Sequence, residues 1–358
     1  MSLHFHSLFI KQIRKETDDC VSVAFDIPDE LKNTFQYQAG QYLTLRKVIN
    51  GEEIRRSYSL CSSPLHNEWR IAIKKNEGGI FSTYANETLQ AGESIDVMPP
   101  LGKFSASPNA AIKKNYLFIA AGSGITPVFS IIQTILEAEP SCHVTLVYGN
   151  KNRSSIIFKD ALDALKNKYI DRFQLIHILS REKTDAVIHY GRIDNNKLIE
   201  LIKLIGLRQI DEFFICGPEQ MIHNTKAFLI AQHIDAKKIH IELFASKKRE
   251  LVVVNRELQA IDNSPRSKIT VKLDGISFDF DLAFNSNSIL DAALQQGADL
   301  PYACKGGVCC TCKAKLIEGK VKMDVNYSLE PEEIAAGYIL TCQSHPTTET
   351  VVVNYDIK

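Results

Sequence analysis

Hydrophobic and polar residues alternate in short runs over the first hundred positions. Val21, Val23, Phe25 and Ile27 fall on every second residue, and "QYLTLRKV", "RIAIKKN" and "SIDVMPP" keep the same period. A period of two sets one face of an extended chain against a core. Short strands of this kind, parted by turns such as Asn50-Gly51, predict an antiparallel β-barrel. From about residue 108 the pattern changes. Continuous apolar runs ("NYLFIAA", "VTLVYGN", "FQLIHILS", "EFFICGPEQM", "KIHIELF") are interleaved with helical stretches at "VFSIIQTILEAE", "FKDALDALKNKY" and "NNKLIELIKLI". Strands buried on both faces and joined through helices predict a doubly wound parallel α/β sheet, with ligands at the carboxyl ends of its strands. A polar stretch around Pro265 predicts a linker over 251–266. Beyond it, "SKITVKLDGISFDF" predicts a hairpin turning at Asp274-Gly275, and "NSILDAALQQG" a helix opened by Asn287 or Ser288 and stopped by Gly297. Strands at Lys313–Ile317 and "TVVVNYD", with a helical turn at "EPEEIAAG", complete a small β-grasp module. The expected division is 1–107, 108–250 and 267–358.

Composition narrows the function. The chain has 358 residues, enough for two or three domains at about 100 to 200 residues each. With 45% hydrophobic residues and no net charge, it shows neither a nucleic-acid nor an anionic-membrane signature. "MSLHFHSLFI" lacks the basic region and cleavage site of a secretory signal, and no apolar run reaches the roughly 18 residues of a membrane span. The expectation is a cytoplasmic protein whose nine cysteines meet a reducing milieu, where clustered thiols bind metal or do redox chemistry. Charge is uneven: net −4 from Lys268 onward and +4 before it, so the acidic module would steer towards a basic partner.

Four of the cysteines lie in "CKGGVCCTC". Cys304, Cys309 and Cys312 form C-x4-C-x2-C, and Cys342 follows in "YILTCQSH", the plant-type ligand spacing for a 2Fe-2S cluster. Gly306 and Gly307 let backbone approach the sulfurs and aim amides at them. Structural zinc is the alternative, but zinc sites pair cysteines closely in both halves, and Cys342 has no such companion. Cys310 is surplus and is expected to be a small residue lodged in the loop.

Two further segments carry candidate cofactor chemistry. In "RRSYSLCSSP", Arg56, Tyr58 and Ser59 offer a cation, an aromatic plane and a hydroxyl at a strand end; "GGIFSTYANETL" places small residues before a helix whose amino-terminal amides suit a pyrophosphate. "GSGITP" turns the first parallel strand into a helix, with Gly122 and Gly124 permitting a tight turn and Pro127 suiting the first helical turn.

These motifs, R-x-Y-S at Arg56 to Ser59, G-x-x-S at Gly79 to Ser82, G-S-G-I-T-P at Gly122 to Pro127 and C-G-P-x-x-M at Cys216 to Met221, resemble the ferredoxin-NADP reductase superfamily in order and spacing, and the chain from Ser267 resembles a plant-type ferredoxin. Among multicomponent oxygenase reductases, the order with ferredoxin last is most similar to the phenylacetyl-CoA epoxidase type. The resemblance implies an NADPH-dependent oxidoreductase carrying FAD and a 2Fe-2S cluster, which feeds a separate di-iron oxygenase component. It implies that Arg56 contacts the flavin pyrophosphate, Tyr58 packs on the isoalloxazine and Ser59 bonds near N5, while Gly79 and Ser82 hold the pyrophosphate from the other side. Cys216 would border the nicotinamide and Phe244 would cover the other flavin face, so that Ser59, Cys216 and Phe244 are the catalytic candidates. Glu242 is a weaker candidate beside them. Ser57, Gly122, Gly124, Thr126, Pro127, Gly217 and Met221 would line the cofactors. Ser180 and Arg181 would take the adenosine 2′-phosphate, although the acid Glu182 is adjacent. Two other readings stay open: an FMN- and NADH-dependent reductase of a Rieske-type oxygenase, and a non-catalytic electron carrier or redox sensor.

Overall fold

The computed structural model describes residues 4–244, 265–284 and 286–357. These fall into two compact units, Phe5–Phe244 and the residues from 265 onward. Most of the expected linker lies outside the described residues, and Arg266, counted in it, already opens a strand.

The first unit begins with six antiparallel strands: β1 (His6–Thr17), β2 (Cys20–Asp26), β3 (Tyr42–Ile49), β4 (Glu52–Ser59), β5 (Trp69–Lys74) and β6 (Ser94–Leu101). Their order is β4-β3-β6-β1-β2-β5, and a bridge between Leu60 and Ile71 closes the sheet into a barrel. The alternating residues of β2 and just beyond, Val21, Val23, Phe25 and Ile27, all enter the barrel core with Leu43, Leu45, Ile71 and Val97. The intervening Ser22 and Ala24 are also buried. Asn50 and Gly51 have φ of 54° and 83°, the left-handed pair that a two-residue hairpin turn requires. Helix α1 (Ile80–Glu87) follows β5 and sends Phe81 and Ala85 into the barrel core.

The second half of this unit is a five-stranded parallel sheet. It contains β7 (Asn115–Ala121), β8 (His143–Asn150), β9 (Phe173–Leu179), β10 (Glu212–Gly217) and β11 (Ile239–Leu243), in the order β11-β10-β7-β8-β9. The chain runs outward through β7, β8 and β9 and then returns to the other side of β7, so the connections diverge between β7 and β10. Such a divergence opens a crevice at the carboxyl ends of the strands. Helices α2 (Ile125–Ala138), α3 (Lys159–Lys168), α4 (Asn195–Ile202) and α5 (Glu219–Ala231) connect the strands. Helix α2 is almost wholly buried.

Three hydrogen bonds tie α2 to the barrel: Ser130 Oγ donates to Ser62 O at 2.6 Å, Gln133 Nε2 to Cys61 O at 3.1 Å, and the Ser63 and Thr134 hydroxyls meet at 3.0 Å. The start of α2 rests on β10. A Cβ on Gly124 would stand 2.2 Å from Cys216 O and 2.7 Å from Gly217 N.

The second unit is a mixed sheet ordered β13-β12-β18-β14-β16, with a separate β15-β17 ribbon. Its strands are β12 (Arg266–Leu273), β13 (Ile276–Ala283), β14 (Lys313–Glu318), β15 (Val321–Met323), β16 (Tyr338–Leu340), β17 (Ser344–Pro346) and β18 (Thr350–Asn354). Helix α6 (Ile289–Gln295) is capped by Ser288, whose Oγ accepts the Asp291 amide at 3.1 Å, and Gly297 ends it at φ 90°. The short α7 (Pro331–Ala335) is the expected helical turn. Among the described residues no helix is long and apolar enough to cross a membrane.

Gly124→Ala should destabilise the Phe5–Phe244 unit by about 1–3 kcal/mol, because the added methyl meets backbone that cannot rotate away. The check is the urea midpoint of this unit's transition, and an unchanged midpoint would contradict the packing.

Candidate flavin, nicotinamide and cluster sites

Strand β4 pairs with β3 so that Arg56 faces Leu45 and Tyr58 faces Leu43, placing both on one side. Ser57 and Ser59 alternate to the other, where the Ser57 hydroxyl meets Thr44 Oγ1 at 3.1 Å and Ser59 is buried. Arg56 Nη1 donates to Arg55 O at 2.8 Å. The Tyr58 ring lies 5.7 Å from that of Phe81, which joins the R-x-Y-S strand to the helix of the G-x-x-S motif. Burial pushes the Tyr58 phenol above its ordinary range, so it stays neutral.

The G-x-x-S spacing has a local cause. Ser82 Oγ accepts the Asn76 amide at 3.1 Å and donates to Gly79 O at 3.3 Å, folding back over the loop. A Cβ on residue 79 would stand 2.4 Å from Ser82 Oγ. The Ser82 hydroxyl therefore shapes the loop that presents the α1 amides. Alongside, Val48, Ile49, Asn50, Gly78, Gly79, Ile80, Thr83, Tyr84 and Thr88 line an open pocket of about 590 Å³.

At the carboxyl edge of the parallel sheet the structure gathers Gly122, Gly124, Cys216, Gly217 and Met221. Gly122 has φ 55° with open space where a side chain would project, and its carbonyl accepts the Tyr148 hydroxyl at 3.0 Å. Thr126 Oγ1 donates to Ser123 O at 3.0 Å, and Pro127 is buried in the first turn of α2. A Cβ on Gly217 would meet Met221 Cε at 2.7 Å and Ala121 Cβ at 3.2 Å, so Met221 and β7 close over this peptide. The Cys216 thiol is fully buried, and burial pushes it well above its ordinary value; it is a neutral wall rather than a nucleophile. Its register partner is Glu242, whose carboxyl burial raises to about 8. Phe244 follows β11 and is 36% exposed.

Ser180 and Arg181 stand at the end of β9. Their amides donate to Asn150 O at 2.9 Å and Lys151 O at 2.8 Å, continuing the β8 pairing. Glu182, the adjacent acid, is engaged. It accepts the Arg153 amide at 2.8 Å and pairs with the Arg153 guanidinium at 3.3 Å. Sequence reasoning missed Arg153, which lies 29 residues from Glu182 and has no spacing signal.

In the second unit the four thiols form two pairs. Cys304 and Cys309 sulfurs are 3.1 Å apart, and Cys342 is the neighbour that most strongly raises the Cys312 thiol above its ordinary value. The Thr341 amide and hydroxyl both reach Cys312 O, at 3.2 and 3.0 Å, which brings Cys342 beside Cys312. Gly306 N–H points at Cys304 Sγ at 3.3 Å. The hydrogen bond from Cys309, followed by amides of the loop, holds the Cys304 thiol below its ordinary value. Among the described residues no three Cys, His, Asp or Glu side chains close on one metal ion. Two thiol pairs suit a two-iron cluster, with one pair for each iron, better than a single zinc. Cys310 is turned to other work: its thiol donates to Ser328 O at 3.4 Å, while Ser328 Oγ donates to Cys309 O at 3.2 Å.

Family models match along the chain: an oxidoreductase FAD-binding domain over residues 7–106, an oxidoreductase NAD-binding domain over 118–227 and a 2Fe-2S iron-sulfur cluster binding domain over 271–347. One component of 1,2-phenylacetyl-CoA epoxidase from Escherichia coli (strain K12) is 47% identical over 99% of this chain and 98% of its own length. The chain belongs to the flavin- and 2Fe-2S-dependent reductases of the ferredoxin-NADP reductase superfamily. The reductase component of 3-ketosteroid-9-alpha-monooxygenase from Rhodococcus rhodochrous is 30% identical over 97% of this reductase and 96% of its own length. Among solved structures, phthalate dioxygenase reductase matches 98% of both chains with a TM-score of 0.59 at 22% identity, a likeness of fold. This reductase thus has FAD-binding, NAD-binding and 2Fe-2S domains in one oxidoreductase chain.

Cys304→Ser in this reductase should abolish the visible absorbance of the cluster while a reduced nicotinamide nucleotide still reduces the flavin. Loss of flavin reduction in a folded, flavin-replete variant would contradict separable modules. Cys310→Ser keeps a hydroxyl able to reach Ser328 O and should retain a full 2Fe-2S complement, measured as iron and sulfide per chain. Iron loss there, with Cys309→Ser tolerated, would reverse the ligand assignment.

Proposed function

We propose that this reductase draws electrons from NADPH and delivers them through FAD and the 2Fe-2S cluster to a separate di-iron oxygenase component, phenylacetyl-CoA epoxidase. The observation that carries the partner is the 47% identity, end to end, to a component of that enzyme. When bound, flavin takes the hydride of a reduced nicotinamide and a 2Fe-2S cluster passes its electrons on singly.

The residues of the chain serve this chemistry by binding and orientation. Arg56, on the strand whose Tyr58 meets Phe81 of α1, supplies positive charge for a pyrophosphate that the α1 amides would also bind, and the pocket next to Gly79 has room for the adenosine half of FAD, which FMN lacks. Tyr58, backed by Phe81, offers a rigid aromatic face for the flavin ring. The bare backbone at Gly122, with Gly124 packing the helix start against β10, and the neutral Cys216 leave a close, uncharged seat for the nicotinamide, with Phe244 following at the end of β11. Holding two rings face to face and excluding water is the main catalytic task, since little acid–base chemistry is required. Cys304, Cys309, Cys312 and Cys342 hold the iron.

The preference for NADPH rests on Ser180 and Arg181, with support from Glu182. An acid that grips a ribose diol would favour NADH, but this carboxylate is already held by Arg153. A guanidinium fork matches phosphate oxygens, and a charge-assisted hydrogen bond contributes roughly 1.5 to 3 kcal/mol. Arg181→Ala should therefore lower kcat/KM for NADPH by about 10- to 150-fold and leave NADH nearly unchanged. Equal losses with both nucleotides, or a wild-type preference for NADH, would sink the assignment. The partner is checked by mixing the purified chain with the oxygenase components of phenylacetyl-CoA epoxidase. NADPH-dependent epoxidation is the expected result, and no turnover from a chain that still reduces ferricyanide would reject that partner.

A further inference from the structure

Among the buried polar side chains next to the four thiols, one has no place in the ligand set and reaches both halves of the site. Gln343 directly follows Cys342 and is 9% exposed. Its backbone is fixed from both sides, because its N–H donates to Leu340 O at 2.9 Å and its carbonyl accepts the Asp324 N–H at 2.9 Å. From that anchored position the side-chain Nε2 reaches three acceptors: Lys305 O at 2.9 Å, Cys342 O at 2.9 Å and Cys342 Sγ at 3.6 Å. An amide nitrogen carries two protons. At least one is therefore shared, and the carbonyl and sulfur of Cys342 are the natural pair to share it.

The bond to Lys305 acts on the other half of the site. Lys305 has φ 49°, a left-handed conformation uncommon in residues with a Cβ, and it lies in the turn between Cys304 and Gly306. Such a conformation persists where the surroundings over-determine it. Here its carbonyl is held by Gln343 and its ammonium by Asp291 at 2.6 Å. Gln343 also packs against Gly307, which has φ 71°: a Cβ there would stand 3.3 Å from Gln343 Cγ.

We infer that Gln343 is a positioning residue for the cluster. It locks the turn carrying Cys304 to the strand end carrying Cys342, and it presents an N–H to the Cys342 sulfur. The inference rests on Cys342 being a ligand. An N–H aimed at a ligating sulfur favours the more negative, reduced form, so this amide raises the reduction potential and a variant without it sits lower.

The test uses the full-length holoprotein. Gln343→Met keeps length and volume but offers no donor. It should retain the full iron complement while its cluster potential, measured by spectroelectrochemical titration, falls by about 59 mV, a tenfold change in the one-electron equilibrium. Reduction of the flavin by NADPH should be unchanged. A fully loaded Gln343→Met chain with the wild-type potential would overturn the inference, since a role limited to packing would alter loading and not potential. Should that variant load poorly, the wild type decides. In a chain labelled with 15N only at glutamine side-chain amides, pulsed EPR of the reduced form should show a nitrogen coupling, because Gln343 is the glutamine that bonds a cluster thiol among the described residues. Absence of that coupling overturns the inference. Cys342→Ser distinguishes a failed positioning role from a failed ligand assignment: an unaltered cluster in that variant would remove Cys342 as a ligand.

Discussion

The contact between Gly124 and the last peptides of β10 is the constraint on which the first unit depends. Side chains cannot fill a gap in which a Cβ would lie 2.2 Å from a carbonyl oxygen, so the start of α2 is set by backbone against backbone. That one placement has effects in two directions. Towards the sheet, it leaves Gly122 left-handed above open space and brackets Cys216 between α2 and the Glu242 strand. Towards the barrel, the body of α2 carries Ser130, Gln133 and Thr134 to Cys61, Ser62 and Ser63, a few residues past Arg56, Tyr58 and Ser59. A single rigid helix therefore spans both halves of the proposed site. Two cofactor rings that must meet face to face need this kind of coupling, because small misplacements cost rate steeply.

The second unit solves a comparable problem by strand register. Cys312 and Cys342 are separated by 29 residues, yet Cys312 precedes β14 and Cys342 follows β16, whose Lys313 and Leu340 are register partners. Thr341 completes the approach with two bonds to one carbonyl. Cys312 and Cys342 are also part of the hydrophobic core of this unit, so the core and the proposed cluster site share these residues. The Cys304–Cys309 pair depends instead on a local turn, in which Lys305 and Gly307 both adopt left-handed φ.

Much of this was legible in the chain, for physical reasons that also explain the gaps. Strands with one buried face showed as a period of two, and those of the parallel sheet as unbroken apolar runs. Strand β1 escaped because register shifts after Ile10 and after Lys15 break its alternation. Helix α5 escaped because Thr225 sits on its buried stripe between Met221 and Leu229, interrupting the apolar spacing. Strands β15 and β17 have three residues each, too few for any period to emerge.

The site divides along a different line. Residues proposed to act directly, such as the four thiols or Arg181, belong to types and spacings that a sequence displays. Residues that position them do so through main-chain partners far away in sequence, and those partners leave no pattern. Arg153 finds Glu182 across two strand ends, and Gln343 finds Lys305 across 38 residues. Ser82 shows the converse: its spacing from Gly79 suggested contact with a ligand, whereas its hydroxyl is used within the loop. A motif thus records that two positions are coupled without recording the direction in which their polar atoms point. That direction follows from which main-chain groups the surrounding fold leaves to be satisfied, because a buried donor or acceptor left without a partner costs more than the bond is worth when made.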